Sequence, residues 1–269
     1  MPASQASKTR IGVRKTYKLF IGGAFPRSES GRSYEVDGNN AARASRKDAR
    51  DAVLAARAAF GKWAAATAYN RGQILYRAAE MLESRRSEFP ESDVDDAVDR
   101  LVWYAGWSDK IAQVAGNANP VAGPFFNLSV PEPTGVVGIV APQSFLGLVS
   151  VIAPVIVTGN TCVVITDRAV EAINFAEVLA TSDLPGGVVN ILTGFAKEVA
   201  PWLASHDDVN GLDLTGVDDA ALALELEQSA AQTLKRVLRA GTPNWADDPG
   251  TRRMTAFMET KTVWHTKGV

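Results

Sequence analysis

The chain has one cysteine and two histidines in 269 residues. A single thiol excludes an intrachain disulfide framework and agrees with a reducing compartment. His206 and His265 have no second histidine or cysteine at ligand spacing, which argues against a metal site. An excess of one charge is lacking too. Lys and Arg total 28 against 30 Asp and Glu, so nothing draws the chain to nucleic acid or a membrane surface. Long apolar runs are missing as well, because Pro154, Thr158, Gly159 and Asn160 break the most apolar stretch, 135–165, below spanning length. The opening residues lack the apolar core of a secretory signal. The expectation is a cytoplasmic protein.

What is present is a core-forming composition, 46% hydrophobic, with a regular alternation of patterns. Residues 1–16 read as a flexible tail, the start of a solvated basic arm with no acidic residue before Glu29. Lys18–Phe25 reads as a hairpin around Gly22-Gly23. Three helices follow, at 45–60, 70–89 and 94–115, the first opened by a Ser45/Asp48 capping box. Residues 116–133 are too rich in Gly, Pro and Asn for a helix and read as an extended hairpin. From 135 onward, short β-branched runs at 135–140, 161–165, 188–192 and 211–214 alternate with helices at 146–157, 169–181, 196–205 and 219–234. That alternation predicts an α/β fold with a doubly wound, Rossmann-like parallel sheet. The lone Cys162 falls inside one of the strands, Thr161–Ile165, where a packed core thiol is expected. The segment 254–266 reads as one last strand, with Phe257 and Trp264 on opposite faces.

Several local motifs then agree in order and approximate spacing. Glu132-Pro133-Thr134-Gly135-Val136-Val137-Gly138-Ile139-Val140-Ala141-Pro142 is followed by Gly159-Asn160-Thr161, Leu184-Pro185-Gly186-Gly187, Leu192-Thr193-Gly194 and Leu214-Thr215-Gly216. Phe20-Ile21-Gly22-Gly23 and Tyr104-Ala105-Gly106-Trp107 precede them. Together they resemble the aldehyde dehydrogenase superfamily over residues 17–238 and again at 255–266, far more specifically than a lone glycine pattern would. The chain also resembles a truncated member of that superfamily, the cysteine-free second domain of its two-domain branch.

The resemblance implies a degenerate dinucleotide-binding α/β domain at 17–115 and 134–240, and a β oligomerisation domain at 116–133 and 254–266. The family's catalytic domain, which carries its cysteine, belongs between the two. Here the interval is about two dozen residues, where such a domain needs about a hundred or more. The expectation is that the catalytic domain is missing.

Thiol-based aldehyde oxidation needs a thiolate, an oxyanion donor, a general base and a bound nicotinamide. By the resemblance, Ser144 stands at the oxyanion-hole asparagine, and reads on its own as a helix N-cap. Arg239 stands near the general-base glutamate and, as an arginine, stays protonated. No catalytic residue is assigned. The vestigial cofactor positions are Ser144, Thr166, Arg168, Thr215, Gly216 and Val217, with no lysine after the second strand and Val217 where the family has a serine. Asp218 and Asp219 suit a helix N-terminus and would repel a diphosphate there. No cofactor is therefore expected, with NAD as the alternative.

A chain that keeps both domains without the catalytic one should expose apolar surface that association covers. The expected interface residues are Phe125, Phe126, Val130, Phe257, Val263 and Trp264. The expected partner is a full-length aldehyde dehydrogenase subunit or a second copy of this chain, with no nucleic acid and no membrane. The alternative function is an NAD(H)-binding component of aldehyde oxidation.

Overall fold

The protein is described by a computed structural model covering residues 11–268. Residues 1–10, most of the expected N-terminal tail, lie outside the described residues. The elements run β1 (Thr16–Tyr17), β2 (Ser33–Val36), β3 (Asn39–Ala42), α1 (Arg46–Ala65), α2 (Ala68–Ser84), α3 (Glu91–Trp107), α4 (Ile111–Ala115), β4 (Asn117–Asn119) and β5 (Phe125–Pro133). Then come β6 (Val136–Val140), α5 (Phe145–Val157), β7 (Thr161–Thr166), α6 (Ala169–Ala180), β8 (Val189–Thr193), α7 (Ala196–Ser205), β9 (Gly211–Asp213), α8 (Ala220–Ala231), β10 (Arg236–Leu238), α9 (Arg252–Ala256) and β11 (Met258–Thr266).

The central sheet is parallel throughout, in the order β10-β9-β6-β7-β8. The order reverses beside β6, as a doubly wound sheet requires. Alternate strand residues feed two cores. Val137, Ile139, Cys162, Val164, Val189 and Ile191 face α2, α3, α5 and α6. Val136, Val140, Val163, Ile165, Leu192 and Leu212 face α1, α7 and α8. Every residue of α5 is buried, as an apolar-all-round helix demands. Among the described residues, no helix is long and apolar enough to cross a membrane.

Local chemistry explains the element ends. Ser45 caps α1 and forms the expected box with Asp48, whose carboxylate also accepts from the Ser28 hydroxyl at 2.8 Å. Thr67, Ser144 and Asp219 cap α2, α5 and α8 with their side-chain oxygens. Gly22 and Gly23 take φ of +63° and +84°, the left-handed turn that lets Ile21 and Ala24 bridge.

Several elements differ from the sequence expectations. The 18–25 segment makes single bridges, because Phe20 pairs across to Ile191 of β8 instead of extending a hairpin; the true hairpin is β2–β3. The third helix ends at Trp107, and α4 continues separately. The last segment is not one strand from 254. Residues 252–256 coil into α9, and the strand begins at Met258.

Two smaller sheets remain: β1-β3-β2, where β1 runs parallel and β2 antiparallel to β3, and an antiparallel small sheet in the order β11-β5-β4. Register pairs Phe125 with Thr266 and Pro133 with Met258, so β11 lies along the whole of β5 and forms the outer edge.

Candidate functional site: the switch-point cleft and the first turn of α5

In an open parallel sheet a ligand crevice forms beyond the carboxyl ends of the strands, where the strand order reverses. Here that position holds a cleft of about 230 Å³ lined by Val140, Ala141, Gln143, Thr166, Asp167, Phe195, Lys197, Gly216 and Asp219. Gly216 is fixed sterically, since a Cβ there would collide with the Ala141 carbonyl. Asp167 is held from two sides. Tyr34 Oη donates to its carbonyl at 2.9 Å, and Gln143 Nε2 donates to its carboxylate at 3.0 Å. Burial, then the nearby Asp167 charge, push the Tyr34 phenol well above its ordinary pKa.

The cleft is poorly suited to a diphosphate. Asp167, Asp218 and Asp219 line it against one cation, Lys197. The Arg168 guanidinium is turned away onto Glu171. At the N-terminus of α8, Asp219 Oδ1 already accepts from the amides of Ala221 at 2.9 Å and Leu222 at 3.3 Å. Those are the donors that a phosphate at a helix N-terminus would use. The residues present therefore do not fit a dinucleotide in the usual way.

At the start of α5, Ser144 Oγ accepts from the Gly147 amide at 3.0 Å, and Asp93 Oδ2 accepts from the Leu146 amide at 3.2 Å. Asp93 thus reaches from the first turn of α3 onto α5. Cys162 is the second residue of β7, fully buried, and burial pushes its thiol far above the ordinary range. A thiol so placed is inert as a nucleophile. Arg239 is 81% exposed and pairs with Glu227 at 3.3 Å.

The six sequence-derived cofactor positions do not gather at one place. Thr166 and Gly216 line the cleft. Ser144 is spent on its helix cap, and Arg168 on Glu171. Val217 packs into the core beside α8 and offers no polar group. Thr215 belongs to a buried cluster that sequence reasoning missed: its amide donates to Asp213 Oδ1 at 3.0 Å, and Arg253 Nη1 reaches Asp213 Oδ2 at 2.7 Å. No spacing in the sequence links Arg253 to Asp213. Among the described residues, no group of His, Cys, Asp or Glu is placed to hold a metal.

The expected interface residues divide three ways. Phe126, Val130 and Val263 share one face of the small sheet, with Leu128 paired directly to Val263. Phe125 and Trp264 share the other face, their rings 5.8 Å apart and edge to face. Phe257 belongs to neither. It ends α9 outside the strand, and its buried ring packs against Gly211 of β9, so it is a core residue.

The family model for the aldehyde dehydrogenase family matches residues 38–241. Cytosolic aldehyde dehydrogenase 1 of Elephantulus edwardii is 31% identical over 91% of this chain and 54% of its own length. Cytosolic 10-formyltetrahydrofolate dehydrogenase of Pongo abelii is 31% identical over 84% of this chain and 28% of its own. Among solved structures, the NAD+ complex of an aldehyde dehydrogenase from Bacillus cereus superposes with a TM-score of 0.76 at 27% identity, covering 83% of this chain and 50% of that one. The chain spans about half the length of the curated aldehyde dehydrogenases it matches. With the parallel sheet, the switch-point cleft and the motifs along both, the chain belongs to the aldehyde dehydrogenase family.

Proposed function

We propose that this chain is a non-catalytic aldehyde dehydrogenase-like subunit that assembles with, and supports or regulates, an active aldehyde dehydrogenase, or pairs with itself. The observation that carries this reading is the small sheet. It presents Phe126, Leu128, Val130 and Val263 as one apolar stripe in solvent and leaves the nine-residue β11 as an open edge. Natural proteins seldom leave such an edge uncovered. The chemistry agrees, since the one thiol is sealed in the core and the first turn of α5 spends its hydroxyl on a cap. Native mass measurement of the purified chain, alone and mixed with an active aldehyde dehydrogenase from the same cells, tests the proposal. A complex or self-oligomer is expected. A monomer under both conditions at micromolar concentration overturns it.

The competing reading, an NAD(H)-binding component of aldehyde oxidation, draws on the survival of the switch-point cleft. Calorimetry with NAD at millimolar concentration decides it, because the carboxylates around the α8 N-terminus predict no heat of binding.

A further inference from the structure

We infer that residues 241–257 form an intramolecular strap that plugs the first turn of α5 and closes the flank of the parallel sheet. This segment lies between the edge strand β10 and β11, where the family resemblance puts a catalytic domain.

The strap is anchored at three heights along the sheet. Beyond the carboxyl ends of the strands, Arg100 of α3 donates from Nη2 to the carbonyls of Trp245 at 2.5 Å and Asp247 at 3.2 Å. Its Nη1 donates to Ser150 inside α5 at 3.1 Å, so one buried guanidinium ties strap to helix. The Trp245 indole lies on the first turn of α5. A Cβ at Gly147 would stand 2.9 Å from the indole Nε1 and 2.8 Å from Ser144 Oγ, so only glycine admits the ring there. At the end of β9, Arg253 pairs with the buried Asp213, donates to Thr215 Oγ1 at 3.0 Å and stacks over the Trp245 ring at 4.9 Å. At the amino ends of the strands, Met254 and Phe257 are buried, and the Phe257 ring fits against Gly211. The Phe257 carbonyl accepts from Asn160 Nδ2 at 2.9 Å and from the Thr134 amide at 3.1 Å.

These contacts make the closed state the resident one. Lifting the strap would leave the Asp213 carboxylate without its cation and would bare the pockets of Met254, Phe257 and Trp245, each a costly change. Ser144, which stands where the resemblance puts an oxyanion donor, is half-buried beside this contact with its hydroxyl on the helix cap. It follows that this flank is not open to a domain of another subunit while the strap is in place.

Hydrogen exchange on the full chain tests the strap. In the double variant Trp245→Ala/Arg253→Ala, amides of α9 and of the first turn of α5 should exchange on the order of 100-fold faster, with β6, β7 and β8 unchanged. Unchanged exchange in α9 and α5 overturns the proposal. Arg100→Met keeps the test decisive should the double variant fail to fold. It leaves the Asp213–Arg253 pair intact and should speed exchange over 244–248 by about tenfold; no change there likewise overturns it. The readout is independent of assembly, which native mass alone decides.

Discussion

Asp213 Oδ2 lies 2.7 Å from Arg253 Nη1, a carboxylate only 1% exposed and held by a cation from forty residues along the chain. The pair joins the end of β9 to α9, in the segment between β10 and β11. A buried pair adds little net stability over an apolar substitute, but removing one member strands the other charge.

Arg253→Ala should therefore lower the unfolding free energy by about 3–5 kcal/mol in urea titration. Neutralising the orphan with Asp213→Asn in the same chain should restore part of that loss. A double-mutant cycle with no coupling would show that the pair does not anchor the strap.

Cys162 should behave as packing and nothing else. Thiol reagents should leave the native chain unlabelled and react at the rate of global opening, because the side chain is fully buried in β7. Cys162→Ala should cost about 1 kcal/mol, the scale for removing one small buried group. An aldehyde-oxidising activity that disappears with this substitution would contradict the non-catalytic reading.

Much of this arrangement was legible in the sequence, for physical reasons that differ by element. Strands β6 to β9 announce themselves because a sheet covered on both faces needs short, continuous apolar runs, as in Thr161–Ile165. The box at Ser45 and Asp48 is local chemistry, visible within four residues. The strap is not legible, because Trp245, Met254 and Phe257 follow no period and are buried by partners distant in sequence. Phe257 misled for the same reason. Reading 254–266 as one strand puts Phe257 at an interface, while the turn of α9 swings the ring onto Gly211. At the cleft, sequence identified the repelling aspartates but could not show that Asp219 had consumed the helix amides.

That last point gives a gain-of-binding prediction. Val217→Ser with Asp218→Gly and Asp219→Ser removes two carboxylates from the cleft, and the new serine at 219 keeps a capping hydroxyl for α8. Calorimetry should then detect NAD at least about tenfold more tightly than in the wild-type chain, the effect of relieving roughly 1.4 kcal/mol of repulsion. Equal heats for both proteins would mean that the cleft fails on shape and not on charge.

Tyr104 supplies a pH test. It is buried in α3, and burial pushes its phenol up to about 12, opposed chiefly by Arg100. The folded chain then holds the proton more tightly than the unfolded chain, whose phenol titrates near 10. Its contribution to stability is complete below pH 10 and is lost as pH rises to about 12. The slope is at most about 1.4 kcal/mol per pH unit. Tyr104→Phe should flatten the alkaline limb of stability against pH relative to wild type. Parallel limbs for the two proteins would refute the shift.

The small sheet offers the most direct test of assembly, because its two faces make different demands. Phe126, Leu128, Val130 and Val263 share the solvent-facing stripe, and Phe126 is 57% exposed, so a charge there costs the isolated chain little. The same charge at an interface core is buried unpaired. Val263→Glu should thus leave the melting temperature within a few degrees while weakening association on the order of 100-fold, read by sedimentation or native mass. Trp264→Glu reports on the opposite face, where Phe125 packs against the indole and Asn119, Asn127, Ser129 and Thr262 form a hydrogen-bonded row. If only Val263→Glu dissociates the assembly, the contact is face-on through the apolar stripe. If both substitutions dissociate it, the partner adds a strand along β11, whose side chains alternate between the faces. If neither does, the small sheet is not the interface.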